Sequence, residues 1–461
     1  MWLEFTSGHF TDITNENAER GARNEENMVD DKTLKKKSML RITVCVFAGA
    51  LFLSGCSAKP ATELVEVAEE ASEAAQPEEI QVCESTHEAN TQPAFEVEQA
   101  NDQPVQEQPQ EIEPEEVQPP TVTILMVGDV LLHTKVEQSA TTEDGSFDFA
   151  PIFANVKEEV AAADLALVNQ EVIIGGAELG ISGYPAFNAP YEVADELVDT
   201  GFDVICHATN HALDKGKKGL TNCLNYWQEH YPDLAVLGIH DSKESQEEIY
   251  IAECEGMRIA ILNYTYGTNG IPLPGDMPYA VDLLKESRVK EDLAKAEELA
   301  DFTIVCPHWG TEYSLKKTAE QDKWVKVFYE GGADLVLGTH PHVIEPVEMI
   351  EGENGSMLVY YSLGNFVNWT SGTGSGVANR MVGGMAKVTL TREEEEVSIS
   401  EYDMLPLVAH VSPGYGGVTT YFLEDYSKEL ADENAIRSQD KSFSYEYVEQ
   451  LFQDVIDMKY D

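Results

Sequence analysis

Positive charge is scarce in this chain of 461 residues: 30 Lys and Arg stand against 83 Asp and Glu, a net charge of −53. Binding to a phosphate backbone needs clustered Lys and Arg, so nucleic acid is excluded as a partner. Any polyanionic ligand meets a repelling overall field. Cysteine is scarce too. The seven (Cys45, Cys56, Cys83, Cys206, Cys223, Cys254 and Cys306) follow neither zinc-knuckle nor disulfide-framework spacing, and no disulfide is assigned. Cys206 and Cys306 fall in apolar runs and read as buried thiols. The apolar run at 42–53 is well short of the ~20 residues that span a bilayer. No internal repeat is present. Hydrophobic residues make up 43% of the chain, enough for a globular body of one large or two ordinary domains, with appendages.

The first appendage is an address. Residues 32–57 read KTLKKKSMLRITVCVFAGALFLSGCS. Lys32, Lys35, Lys36, Lys37 and Arg41 ahead of the 42–53 run form the charged and apolar regions of a secretory signal. The run ends in Leu53-Ser54-Gly55-Cys56, which resembles a bacterial lipobox. That resemblance implies acylation of the Cys56 thiol and an extracytoplasmic, lipid-anchored protein with 32–56 as its signal peptide. Residues 1–31 lie upstream, with Met28 as an alternative start, and are set aside from the fold. Residues 61–120 hold 17 acidic residues, seven prolines and no Lys or Arg. Such a stretch buries too little apolar surface to offset its ordering entropy. Residues 57–120 are therefore expected to be a disordered acidic stalk, a coil reaching about 45 Å and more under self-repulsion.

The text then becomes regular. Short apolar runs at 121–127, 161–168, 202–208, 259–263, 302–306, 334–337 and 357–363 read as buried strands. Amphipathic stretches at 191–200, 217–230, 283–300 and 318–331 read as helices, and the alternation predicts an α/β fold. Residues 388–402 read as an antiparallel strand or hairpin turning at 393–396. Residues 411–461 read as a C-terminal helical extension, with a helix over 445–458.

The strand ends carry the chemistry. Asp129, Glu171, Asn210, His211, His308, His340 and His342 each follow directly on a predicted strand, and in α/β sheets such positions gather at one rim. Carboxylate, imidazole and amide oxygen form a mixed set suited to Mn²⁺, Zn²⁺ or Fe²⁺. In His340-Pro341-His342, alternate residues of an extended segment point to one side, bringing both rings toward the metals. Glu171 or Asp129 can bridge two cations about 3.5–4 Å apart, which would deprotonate a water and clamp a transition state. His211 is placed to protonate a leaving group, with Asp214 orienting its ring. Lys215, Lys217 and Lys218 form the one basic cluster near this motif, and read as the solvated first turn of a helix.

The ordered set GD (128–129), NQE (169–171), FNAP (187–190), TNHALDKG (209–216), HWGTEY (308–313), GADLVLGTHPHV (332–343) and SLGNF (362–366) resembles the CapA/PgsA family of poly-γ-glutamate capsule synthesis. The resemblance covers about 121–410. It implies a four-layer α/β/β/α metallophosphoesterase-like sandwich with divalent metal ions at the loop rim. By it, Asp129, Glu171, Asn210, His308, His340 and His342 are metal ligands, with Glu171 at the bridging position, and His211 is the acid. Metallophosphoesterases open with Asp-x-His, whereas His133 here follows Asp129 by four, which makes it a further ligand candidate.

Two functions follow as expectations. One is a cell-surface metal-dependent hydrolase or transferase using metal-activated water on a phosphoester or γ-glutamyl polymer. The other is a non-catalytic component that binds, exports or anchors an anionic polymer beside membrane-bound capsule synthesis subunits.

Overall fold

Two β-sheets carry the part of the chain described in the computed structural model, residues 119–458. The upstream segment 1–31, the signal at 32–56 with Cys56, and the acidic stalk to residue 118 lie outside the described residues. Sheet one is built on β1 (Thr121–Val130), β2 (Leu165–Asn169), β3 (Val204–Cys206) and β4 (Ala235–Leu237), all parallel neighbours. On the other side of β1 it continues antiparallel through β12 (Val382–Glu393), β13 (Glu396–Val411) and β14 (Val418–Phe422). A short β11 (Asn365–Val367) runs parallel to the end of β1. Sheet two has the order β5 (Tyr250–Cys254), β6 (Met257–Thr265), β7 (Phe302–His308), β8 (Leu335–Leu337), β10 (Gly355–Tyr360), β9 (Val347–Gly352).

The sheets face each other. Cys306 Sγ on β7 lies 3.9 Å from Met126 Sδ on β1. Within sheet two the pleat sorts the side chains: Ile259, Ile261, Ile304, Leu335, Leu337, Leu358 and Tyr360 join the core shared with sheet one. The alternate residues Leu262, Tyr264, Val305, Val336, Met357 and Val359 pack with Val289 and Leu293 of the helix Glu286–Leu299 and Phe328 of the helix Ala319–Glu330. Sheet one steps β1-β2-β3-β4 in one direction, so right-handed crossovers put the helices Glu192–Thr200 and Gly216–His230 on its outer face. The result is the expected α/β/β/α sandwich.

Local chemistry fixes the element ends. Thr318 and Gln321 form a capping box, Gln321 N donating to Thr318 Oγ1 (3.2 Å) and Thr318 N to Gln321 Oε1 (2.8 Å), which stops the helix Ala319–Glu330 at its start. The run AAADLALV divides: its first alanines, the strongest helix formers, complete the helix Lys157–Ala162, and the strand begins only at Leu165. β4, β5, β9, β11 and β14 lie outside the predicted strands. They are short or sit at or near sheet edges, where half-exposed residues blur the apolar run. The hairpin read at 388–402 is the longer β12–β13 pair, turning where the charged run lies. Residues beyond 410 include the expected helix at Tyr445–Ile456, but they also supply β14 to sheet one. Tyr426, Ile436, Phe443, Val448 and Val455 are buried in the main core. That C-terminal segment is thus integral to the sandwich. No helix among the described residues is long and apolar enough to cross a membrane.

Candidate metal centre

β1 sets the floor of the site. Its Asp129 is paired in register with Asn169 of β2 and Asn365 of β11, so three polar side chains meet where parallel strands end. The meeting requires close backbone approach: a Cβ on Gly128 would lie 2.0 Å from the carbonyl oxygen of Gly364, which is itself at φ +64°. Asp129 is fully buried. Its Oδ1 accepts from Asn169 Nδ2 (2.9 Å), and its Oδ2 from the backbone N–H of His340 (3.2 Å).

Glu171, just past β2, is the hub. Its Oε1 lies 3.6 Å from His342 Nε2, 3.7 Å from His308 Nε2 and 3.9 Å from His211 Nε2. Glu171 is fully buried, and neither carboxylate oxygen has a hydrogen-bond partner. His308 closes β7, with Nδ1 3.0 Å from Thr339 Oγ1 and Nε2 3.0 Å from Asn210 Oδ1. Glu171, His340 and His342 present ligand atoms that all lie within 4.8 Å of one another.

The His-Pro-His segment reaches this arrangement differently from its sequence reading. It is no extended strand: His340 has φ 99° and His342 φ 58°, both in left-handed backbone that L-residues rarely adopt. Such conformations cost of the order of 1–3 kcal/mol each and persist only where surroundings over-determine them. Here Asp129 holds the His340 N–H, and Asn365 accepts from the His342 ring (3.1 Å) and donates to its carbonyl (3.0 Å). The twist aims both rings at Glu171, a result that strict alternation does not supply.

Burial governs the protonation states. It holds the Glu171 carboxyl well above the usual range. Burial and the neighbouring imidazoles hold His308 and His340 well below theirs, so these rings are neutral and able to ligate. His342 is the exception. Burial opposes its charge, but Glu171 and the hydrogen bond with Asp129 outweigh that and lift it to about 9.

His211 sits at the rim, its Nδ1 2.6 Å from Asp214 Oδ2. A carboxylate only accepts, so Nδ1 carries the proton and Nε2 is turned toward Glu171. Asp214 is held in turn by the Phe187 N–H (2.7 Å), whose ring meets that of His211 edge-on at 4.6 Å. His133 does not join the hub. Its ring meets that of Phe187 edge-on at 5.3 Å, and burial, His342 and His211 push it down to about 3. Lys215 ties down the loop before Phe187, donating to Ser182 Oγ and the Ala186 carbonyl, and Lys217 pairs with Asp276. The structure thus brings together Asp129, Glu171, Asn210, His308, His340, His342, His211 and Asp214.

Asn169, Asn269, Thr339 and Asn365 belong to the same network and escaped the residue-type reading. Asn169, Thr339 and Asn365 lie in the strand-end motifs of the sequence, so strand-end position is a usable signal for all three.

The donor set suits a divalent cation. Glu171, whose two oxygens have no hydrogen-bond partner, presents a ligand atom within 4.8 Å of those of His340 and His342, and the His340 Nδ1 is orphaned as well.

Residues 123–370 match the family described as bacterial capsule synthesis protein PGA_cap. The chain belongs to that family. All eight gathered residues fall inside the matched segment of this capsule synthesis family. The chain is 28% identical over 270 residues to the PGA biosynthesis protein CapA of Bacillus subtilis (53% of this chain, 63% of that one). It is 27% identical over 266 residues to the capsule biosynthesis protein CapA of Bacillus anthracis (54% and 61%). It therefore spans less than two thirds of these relatives' length. Among solved structures it is similar to the calcineurin-like phosphoesterase YfkN of Bacillus subtilis, with 11% identity and a TM-score of 0.36 over 72% of this chain and 99% of that one.

Proposed function

We propose that this member of the capsule synthesis family is a divalent-metal-dependent hydrolase or transferase. Its substrate is an anionic polymer or phosphoester at the cell surface, and Cys56 is its lipid anchor. The observation that carries the reading is the buried Glu171 carboxylate, unpartnered at the meeting point of three imidazole Nε2 atoms. Glu171, His340 and His342 would hold one cation, and Asp129, Asn210 and His308 line the same pocket beside it. A bound Mn²⁺, Zn²⁺ or Fe²⁺ supplies Lewis acidity there, polarising an ester or amide.

The chain's own groups do the rest. Asp214 fixes the His211 tautomer, so Nε2 exchanges a proton at the mouth of the pocket. Asn365 and Asn169 hold His342 and Asp129 in place. Burial of Asp129 and Glu171 keeps bulk water from screening the charge.

The test is elemental analysis of the purified full chain, followed by assays of phosphoester and γ-glutamyl hydrolysis with added Mn²⁺. Stoichiometric metal and turnover that collapses in His211→Ala support the enzyme. Metal-free protein, or turnover indifferent to His211, sinks it. Polymer binding without turnover would instead favour the anchoring role beside membrane-bound synthesis subunits.

A further inference from the structure

Arg380 differs from the other arginines among the described residues. Arg258, Arg288, Arg392 and Arg437 each pair with an aspartate. Arg380 has no carboxylate partner among the described residues, although residues 121–461 contain 58 acidic side chains against 22 basic ones. Its Nε is buried without a hydrogen-bond partner, and its Nη1 makes only a long contact to Thr370 Oγ1, 3.4 Å. A buried guanidinium N–H left unmade is costly, which points to a ligand that completes it.

Its position is fixed with respect to the metal centre. The guanidinium lies over the Tyr313 ring, Cζ 3.5 Å from its centroid, and the same ring is 6.0 Å from that of His342. Its main-chain carbonyl accepts from Asn365 Nδ2 (2.9 Å), the amide that also holds His342. Lys135 lies over the neighbouring Trp369 ring at 5.0 Å. After burial, His342 and His211, these two cations also help depress His133. Positive potential therefore gathers at this edge. Glu312 is the nearby acid it has to outweigh, acting on both Tyr313 and Glu171.

We propose that Arg380, with Lys135 beside it, forms an oxyanion subsite at the edge of the Glu171–His340–His342 group and holds an anionic group of the substrate there. This rests on the reading of the site as one that handles an anionic substrate, and adds which residues grip it. A planar guanidinium stacked on an aromatic ring presents its free N–H fork edge-on, the geometry that takes a carboxylate or phosphate in two parallel hydrogen bonds. It also answers the charge problem: in a chain of net −53, one unneutralised arginine reverses the local sign where a polyanion has to dock.

The experiment titrates fluorescent poly-γ-glutamate, and separately inorganic phosphate, into the full chain with and without Mn²⁺, at several salt concentrations. The variants are Arg380→Gln, Arg380→Lys and Lys135→Gln, with metal content and melting temperature recorded for each. Arg380→Gln is expected to weaken binding about tenfold or more and to flatten the salt dependence at unchanged metal content, with Lys135→Gln weaker in effect and Arg380→Lys intermediate. Loss confined to the polymer identifies the group as a carboxylate, and loss confined to phosphate identifies it as a phosphoryl group. Wild-type affinity in both Gln variants overturns the subsite. So does an Arg380→Gln chain that loses metal and melting temperature together with binding while Lys135→Gln binds normally, since Arg380 is then structural. Because the titration is also read without metal, a chain that never binds metal defeats the proposed hydrolase and still leaves this result legible.

Discussion

His342 Nε2 and Glu171 Oε1 face each other at 3.6 Å in the interior, while the other nitrogen of the same ring lies 3.2 Å from Asp129. One imidazole thus stands between two fully buried carboxyl groups. Burial favours the neutral Glu171 carboxyl, and a cation would take the place of its proton.

Glu171→Gln tests that directly. The wild-type chain should melt higher with Mn²⁺, by about 2.7 kcal/mol of stability at a hundredfold excess over Kd. The variant should lose this gain, and without metal it should melt no lower than wild type, because burial favours the neutral carboxyl that the amide mimics. A variant that keeps the full Mn²⁺ shift in differential scanning calorimetry removes Glu171 from the ligand set.

His211→Ala and Asp214→Asn should separate chemistry from metal holding. Both are expected to retain metal by elemental analysis and to lower kcat, His211→Ala by about 10²–10⁴-fold. Asp214→Asn should lose less, because Nε2 survives and only its orientation suffers. Equal loss of metal and activity would move His211 into the ligand set.

Asn365→Ala removes the bond with the His342 ring and the donors to the His342 and Arg380 carbonyls. The Arg380 carbonyl keeps Asn368 Nδ2 (3.2 Å), but the buried His342 carbonyl loses its donor, and a cost of about 1–3 kcal/mol is expected in urea unfolding. Metal affinity should fall too, as the left-handed His342 backbone relaxes. Unchanged affinity would show that Asp129 alone fixes that ring.

Glu345 governs a separate pH effect. It is fully buried, its Oε2 accepts from Gln321 Nε2 (2.6 Å) and its Oε1 has no partner. Burial, opposed by Gln321, pushes it up to about 8 from 4.5. The folded state therefore binds a proton that the unfolded state has lost, and stability falls as pH rises from about 4.5 through 8. In Glu345→Gln, melting temperatures at pH 5.5 and 8.5 should lie closer together than in wild type. An unchanged difference assigns the pH dependence elsewhere.

The sequence by itself determined the alternation of buried strands and helices and the strand-end chemistry. Buried strands such as 302–306 are apolar on both faces, and the polar residue that ends each one is visible locally. It determined the capsule-family resemblance for the same reason, since those motifs are the strand ends. Tertiary structure decided what is not local. Edge strands such as β5 and β14 exist because of their partners, and β14 ties the segment after residue 411 to sheet one. The His340–His342 backbone adopts positive φ only because Asp129 and Asn365, distant in sequence, hold it there. Arg380 carries no motif; stacking on Tyr313 and the hold of Asn365 bring it to the site.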